Sequence, residues 1–139
     1  MERLRRTNVD SGTEWEAAVG YSRAVRVGDR VHVSGTVATD EDGSVVGEGD
    51  PGAQARQAID NVRSALEQAG GTLRDVVRTR VYLVDVDDST AVGDAHAEAF
   101  GDVRPASTML AVEELIEPAF LVEIEADAVV PGERYDPPG

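Results

Sequence analysis

Two periodicities divide the chain. Across 77–84, Val77, Thr79, Val81 and Leu83 interleave with Arg78, Arg80, Tyr82 and Val84, as a strand with two unlike faces requires. The same alternation recurs over 120–130, where Phe120, Val122, Ile124, Ala126 and Ala128 interleave with Leu121, Glu123, Glu125, Asp127 and Val129. One face of that strand is apolar and the other largely acidic. Between 50 and 71 the apolar spacing changes to three and four, through Ala55, Ala58, Ile59, Val62, Ala65, Leu66 and Ala69. This predicts a helix that opens at Asp50, whose carboxylate can accept the first free amides, with Pro51 in the first helical position. Gly70-Gly71 ends it.

The remaining elements are shorter. Runs at 24–27 and 31–34 flank Gly28-Asp29 and predict a hairpin. A second helix starts at Asp88 or Ser89 and carries Val92, Ala95, Ala99 and Phe100 as far as Gly101; Gly93 inside it costs about 1 kcal/mol relative to alanine. A further strand is expected near 107–112, and 40–49 reads as an exposed loop with at most a short strand at Val45-Val46. The order β-β-α-β-α-β-β describes an α+β protein in which two helices cover one face of a sheet. The other face then needs a partner. No repeat or long linker breaks the 139 residues, so a single domain spans 1–139, with its core at about 20–130 and a poorly ordered tail at 131–139.

Composition removes several chemistries. There is no cysteine, hence no disulfide, thiolate metal site or cysteine nucleophile. All 13 basic residues are arginine, which excludes Schiff-base and phosphate-loop lysines. His32 and His96 have no short metal-ligand spacing, and no metal or cofactor is expected. A net charge of −14 opposes binding to a phosphate backbone, so no nucleic-acid partner is expected, and the acid-rich surface reads as adaptation to high salt. No membrane-spanning stretch is present and no apolar segment follows the basic residues of the first seven positions, so a cytoplasmic protein is expected.

A set of short stretches carries a resemblance: Gly20-Tyr21-Ser22-Arg23-Ala24-Val25, Val33-Ser34-Gly35, Gln54-Ala55-Arg56-Gln57 with Asp60-Asn61-Val62, Ala69-Gly70, Asp75-Val76-Val77-Arg78-Thr79, Pro105-Ala106 and Val122-Glu123-Ile124-Glu125-Ala126. In their order and spacing they resemble the Rid (reactive intermediate deaminase, YjgF-like) family from about Gly20 to Val130. The resemblance implies a chorismate-mutase-like fold with a six-stranded mixed sheet and a homotrimer with small-molecule sites in the clefts between subunits. It implies hydrolysis of imines or enamines to carbonyl compounds and ammonia. Glu123 matches the family residue that positions the hydrolytic water, work suited to a carboxylate in a partly closed cleft. Tyr21, Ser34 and Gly35 match site-lining positions, and Ser107 and Thr108 follow the Pro105-Ala106 motif.

The match departs from the family at one decisive place. Deaminase members carry a carboxylate-binding arginine where this chain has Ser107, and a hydroxyl cannot replace a bidentate ion pair. Arg104 lies nearby, but at an odd spacing along a strand its side chain is expected on the other face. A frequent cysteine is Met109 here, and a frequent asparagine is Gly93. Two functions therefore stay open: an imine or enamine deaminase, and a trimer that binds a metabolite without turning it over. A ribonuclease fits poorly with the charge and with the lack of a histidine pair.

Each candidate also has a plainer reading. Glu123 can belong to the acidic face with Glu125 and Asp127, Tyr21 can be a packing residue, and Ser34-Gly35 can be a strand end. Arg78 and Arg80 are expected to pair with acids of the last strand. Glu113-Glu114 are read as surface charge.

Overall fold

The computed structural model describes residues 4–131. It holds a six-stranded mixed sheet of order β1-β2-β3-β6-β4-β5. The strands are β1 (Arg6–Val9), β2 (Ala24–Val27), β3 (Arg30–Thr36), β4 (Val76–Leu83), β5 (Ala106–Ala111) and β6 (Val122–Val129), and the helices are α1 (Glu14–Val19), α2 (Pro51–Gln68) and α3 (Ser89–Phe100). All neighbouring strands pair antiparallel except β4 and β5, which are parallel and are therefore joined by a helical crossover, α3.

The expected elements form for the expected reasons. Asp50 caps α2 by accepting from the Ala53 amide at 3.1 Å, Pro51 opens the helix, and Gly70 closes it at φ 87°. Gly28, at φ 61°, turns the β2–β3 hairpin with Asp29. The apolar faces of β3, β4 and β6 meet α2 and α3 in one core, whose largest fully buried side chains include Phe100, Leu66, Leu83 and Ile124. The 40–49 loop contains only an isolated bridge between Thr39 and Val45.

Side-chain amides explain part of the α2 motif. Gln54 is fully buried; its side chain accepts from the Leu121 amide at 2.8 Å and donates to the Ala119 carbonyl at 2.9 Å. Asn61 donates to the Val37 and Thr39 carbonyls at 3.0 and 2.9 Å. Both tie backbone groups of irregular segments to α2, the Val37 carbonyl also accepting from the Thr39 amide at 3.0 Å.

Two elements depart from the pattern-based reading. β1 adds the sixth strand, although three of its four residues are exposed and only Val9 is buried. The short α1 buries a glutamate, Glu16, instead of an apolar stripe. The sheet face away from α2 and α3 is polar. There Arg80 pairs with Asp127 at 3.1 Å, Tyr82 donates to Glu125 at 3.0 Å, and His32 Nδ1 lies 2.8 Å from Asp127. The expected pairing across the sheet is thus met by Arg80; for Arg78 no ion pair is found among the described residues. Of the expected tail, 132–139 lies outside the described residues.

Candidate functional site

A β-bulge shapes the first cluster. Val33 pairs with Ala126 and Thr36 with Ile124, so Ser34 and Gly35 together oppose Glu125. Bulges re-aim side chains and recur beside functional sites. Gly35 is required for space, not for backbone freedom: a Cβ there would lie 2.2 Å from Glu123 Oε2, and its φ is not positive. Ser34 and Gly35 are the fifth and sixth of the seven residues of β3, one residue before its end at Thr36.

Glu123 fills the space that Gly35 leaves. It shares a β6 face with Glu125 and Asp127, yet no hydrogen bond or ion pair engages its carboxylate among the described residues. Burial pushes its pKa up, neighbouring Glu125 adds to the rise, and Arg23 opposes it. A desolvated carboxylate in this state suits general-base work.

Arg23, outside the set of candidate residues drawn from the sequence, organises this cluster. Its guanidinium donates to the Gly35 carbonyl at 2.8 Å and to Thr36 Oγ1 at 3.0 Å, and lies 5.8 Å from the centre of the Tyr21 ring. Its Nε is buried and has no hydrogen-bond partner among the described residues, with Glu16 Oε2 at 3.8 Å. Glu16 is in turn held by the Ser11 amide, the Ser11 hydroxyl and the Thr13 hydroxyl. The signal was faint because a buried acid on a one-and-a-half-turn helix has no pattern of its own.

Tyr21 and Ser34 line a cleft of about 520 Å³ with Asn8, Glu16, Ser22 and Val25. The Ser34 hydroxyl donates to the Ser22 carbonyl at 2.6 Å, leaving only its lone pairs for a ligand. Tyr21 is partly exposed at 39% and so is not a core packing residue.

Ser107 lies elsewhere. It is exposed on the edge strand β5, and its Oγ accepts from the Thr79 hydroxyl at 2.8 Å. Thr79 is fully buried on the helix-covered face. Ser107 therefore faces the helix side, whereas Glu123 faces the open side two strands away. Thr108, next in the strand and in register with Arg80, falls on the open side. The candidate residues thus form two groups that one chain does not bring together. Arg104 also differs from expectation: β5 begins only at Ala106, and Arg104 is left-handed at φ 53°, its amide donating to the Phe100 carbonyl at 2.7 Å. Strand alternation does not reach it.

His32 on β3 and His96 on α3 do not form a pair, and no group of three or more metal-ligating side chains occurs among the described residues. Glu113 and Glu114 are exposed beside a second cleft of about 330 Å³. No helix among the described residues is long and apolar enough to cross a membrane.

A glycine-shaped niche for a desolvated carboxylate, set on the open face of a mixed sheet whose other face carries α2 and α3, defines an α+β protein with a candidate site on its uncovered face. The sequence profile of the endoribonuclease L-PSP family matches residues 11–130. A solved member of the YjgF/YER057c/UK114 family from Mycobacterium tuberculosis superposes with a TM-score of 0.83 at 51% identity, covering 91% of this chain and all of that one. An uncharacterized protein of Streptomyces coelicolor is 43% identical over 91% of this chain and 92% of its own. The 3-aminoacrylate deaminase RutC of Acinetobacter baylyi is 36% identical over 79% and 86% respectively. The chain belongs to this family, known as YjgF, Rid or endoribonuclease L-PSP.

Proposed function

We propose that the protein hydrolyses small imine or enamine metabolites to carbonyl compounds and ammonia, in clefts between the subunits of a homotrimer. The observation that carries this reading is the Glu123 carboxylate, desolvated against Gly35 and without an ion pair among the described residues. Glu123 takes a proton from water as the water oxygen attacks the C=N carbon, and returns it to nitrogen to give the carbinolamine. Glu123 then takes the hydroxyl proton and passes it to nitrogen, so that the C–N bond breaks, ammonia leaves and the C=O bond forms. An enamine first tautomerises to its imine.

The trimer enters because Glu123 and Ser107 face opposite sides of the sheet. A neighbouring copy whose exposed β5 edge meets the uncovered face beside Glu123 brings one group to the other, with Tyr21, Ser34 and Gly35 from one subunit, and Ser107 and backbone amides beside it from its neighbour. Thr108, on the open side, takes part in orienting the substrate from the interface. Similarity to a 3-aminoacrylate deaminase supports the reaction class.

The test is ammonia release from freshly generated 2-imino or 2-aminoacrylate substrates in high salt, with light scattering to measure the assembly. Glu123→Gln is expected to lower release by about 10²- to 10⁴-fold. Wild-type activity equal to buffer would sink the hydrolase. A second reading, a trimer that binds a metabolite without turnover, is favoured by Ser107 standing where a carboxylate anchor is expected; ligand binding without ammonia release would establish it.

A further inference from the structure

Behind Ser107 stands a chain of hydrogen bonds. Thr79 on β4 donates to Ser107 Oγ at 2.8 Å, and Thr79 Oγ1 lies 2.9 Å from Nε2 of His96 on α3. Three elements thus contribute one line of neutral groups, from a half-buried imidazole through a fully buried hydroxyl to an exposed one. The His96 ring packs against Phe100, with centroids 4.7 Å apart, which fixes its position.

The direction of this line is reversible. Thr79 has one hydroxyl hydrogen, so when it donates to Ser107 it accepts from His96 Nε2–H, and the Ser107 hydrogen points outward. With the His96 proton on Nδ1, Thr79 donates to Nε2 and accepts from Ser107, whose lone pairs then face the ligand. Burial lowers the pKa of His96, so the neutral ring and both of its tautomers are available near neutral pH. Space exists beside the line: a Cβ on Gly93, one helical turn before His96, would meet nothing within 4 Å.

We propose that Ser107, oriented by His96 through Thr79, is a subsite for an uncharged carboxamide, carbonyl or imine group and selects against a carboxylate. A reversible line suits groups that present an acceptor, a donor or both. A carboxylate only accepts, and its desolvation demands compensating charge. The only hydrogen bond to the Ser107 side chain among the described residues comes from neutral Thr79. The nearest cation in sequence, Arg104, is held outside β5 by its left-handed backbone, and the protein as a whole carries a charge of −14. His96 and Thr79 are positioning residues. The inference deepens the proposed reaction by naming its substrate class, yet binding alone can be measured without it.

Calorimetry with pyruvamide and pyruvate, which differ only in carboxamide against carboxylate, tests it on the intact protein in high salt. Wild type is expected to bind pyruvamide at least about tenfold more tightly. Ser107→Ala and Thr79→Val lose about tenfold in pyruvamide affinity, whereas Thr79→Ser and His96→Gln, which keep a hydrogen-bonding group in line, stay within about twofold. Ser107→Arg reverses the preference. Tighter binding of pyruvate by wild type, loss of pyruvate binding in Arg104→Ala, or no binding of pyruvamide overturns the proposal. Ser107→Ala removes an exposed hydroxyl and leaves Thr79 its contact with His96, so its result stands even if Thr79→Val folds poorly. Absence of ammonia release with the amide preference intact would remove the hydrolase and leave the subsite.

Discussion

Around Glu123 the chain crowds ionised groups into a niche, whereas around Ser107 it lines up neutral hydroxyls and an imidazole. The first region depends on shape: Gly35 makes room, and Arg23 ties the bulged strand to Tyr21 and Glu16. The second depends on connectivity, since Thr79 joins a helix to an edge strand through one oxygen. The difference teaches that the two regions fail differently. A small displacement disables the first, and a single lost hydroxyl disables the second.

Gly35→Ala is the strongest way to break the contrast. Its new methyl falls on the Glu123 carboxylate, so Glu123 must swing away, and ammonia release is expected to drop by about 10²-fold. Because the obstructed atom ends a flexible side chain, the melting temperature should fall only slightly. A collapse in stability with little loss of activity would show that Gly35 serves packing.

The neutral region is sharpened by Thr79→Val. The buried methyl keeps the volume but leaves His96 Nε2 without its partner, at an expected cost of about 1–3 kcal/mol in denaturant unfolding. Thr79→Ser should recover most of it. Equal stability of the valine variant would mean that water or a rotated imidazole repairs the line.

The smallest effect concerns pH. The folded pKa of Glu123 is raised above its ordinary value of 4.5, so its ionisation opposes folding at pH above the folded pKa, and that opposition fades as pH falls below the unfolded value. Glu123→Gln should therefore melt at a higher temperature than wild type at pH 7, with the difference closing near pH 4. Differential scanning calorimetry at both values checks the sign; a variant less stable at pH 7 would mean that Glu123 is held by favourable contacts.

Much of the fold could be read from the chain because its signals are local. Asp50-Pro51 and Gly70-Gly71 bracket α2, Gly28-Asp29 marks the hairpin, and the β6 alternation is unbroken. β1 escaped because a strand with one buried residue has no alternation to detect, and α1 because Glu16 points inward. For the candidate site, resemblance pointed to residues but not to their grouping. Ser107 and Thr108 are adjacent in sequence yet face opposite sides of the sheet. Arg23 and the Thr79–His96 contact depend on a bulge and on strand-to-helix packing, which no spacing along the chain encodes. The reading of Arg104 failed because it assumed pleating in a residue that closes a helix instead.

The strand order has a consequence for how the protein comes into being. β6, the latest of the six in chain order, lies between β3 and β4, so the sheet exists as two unjoined pieces until residue 129 has left the ribosome. Because domains complete as units during synthesis, Glu123 arrives together with the strand that closes the sheet. A nascent chain arrested before Val122 would expose two open sheet edges and lack Glu123, so the niche against Gly35 is filled only when the fold is sealed.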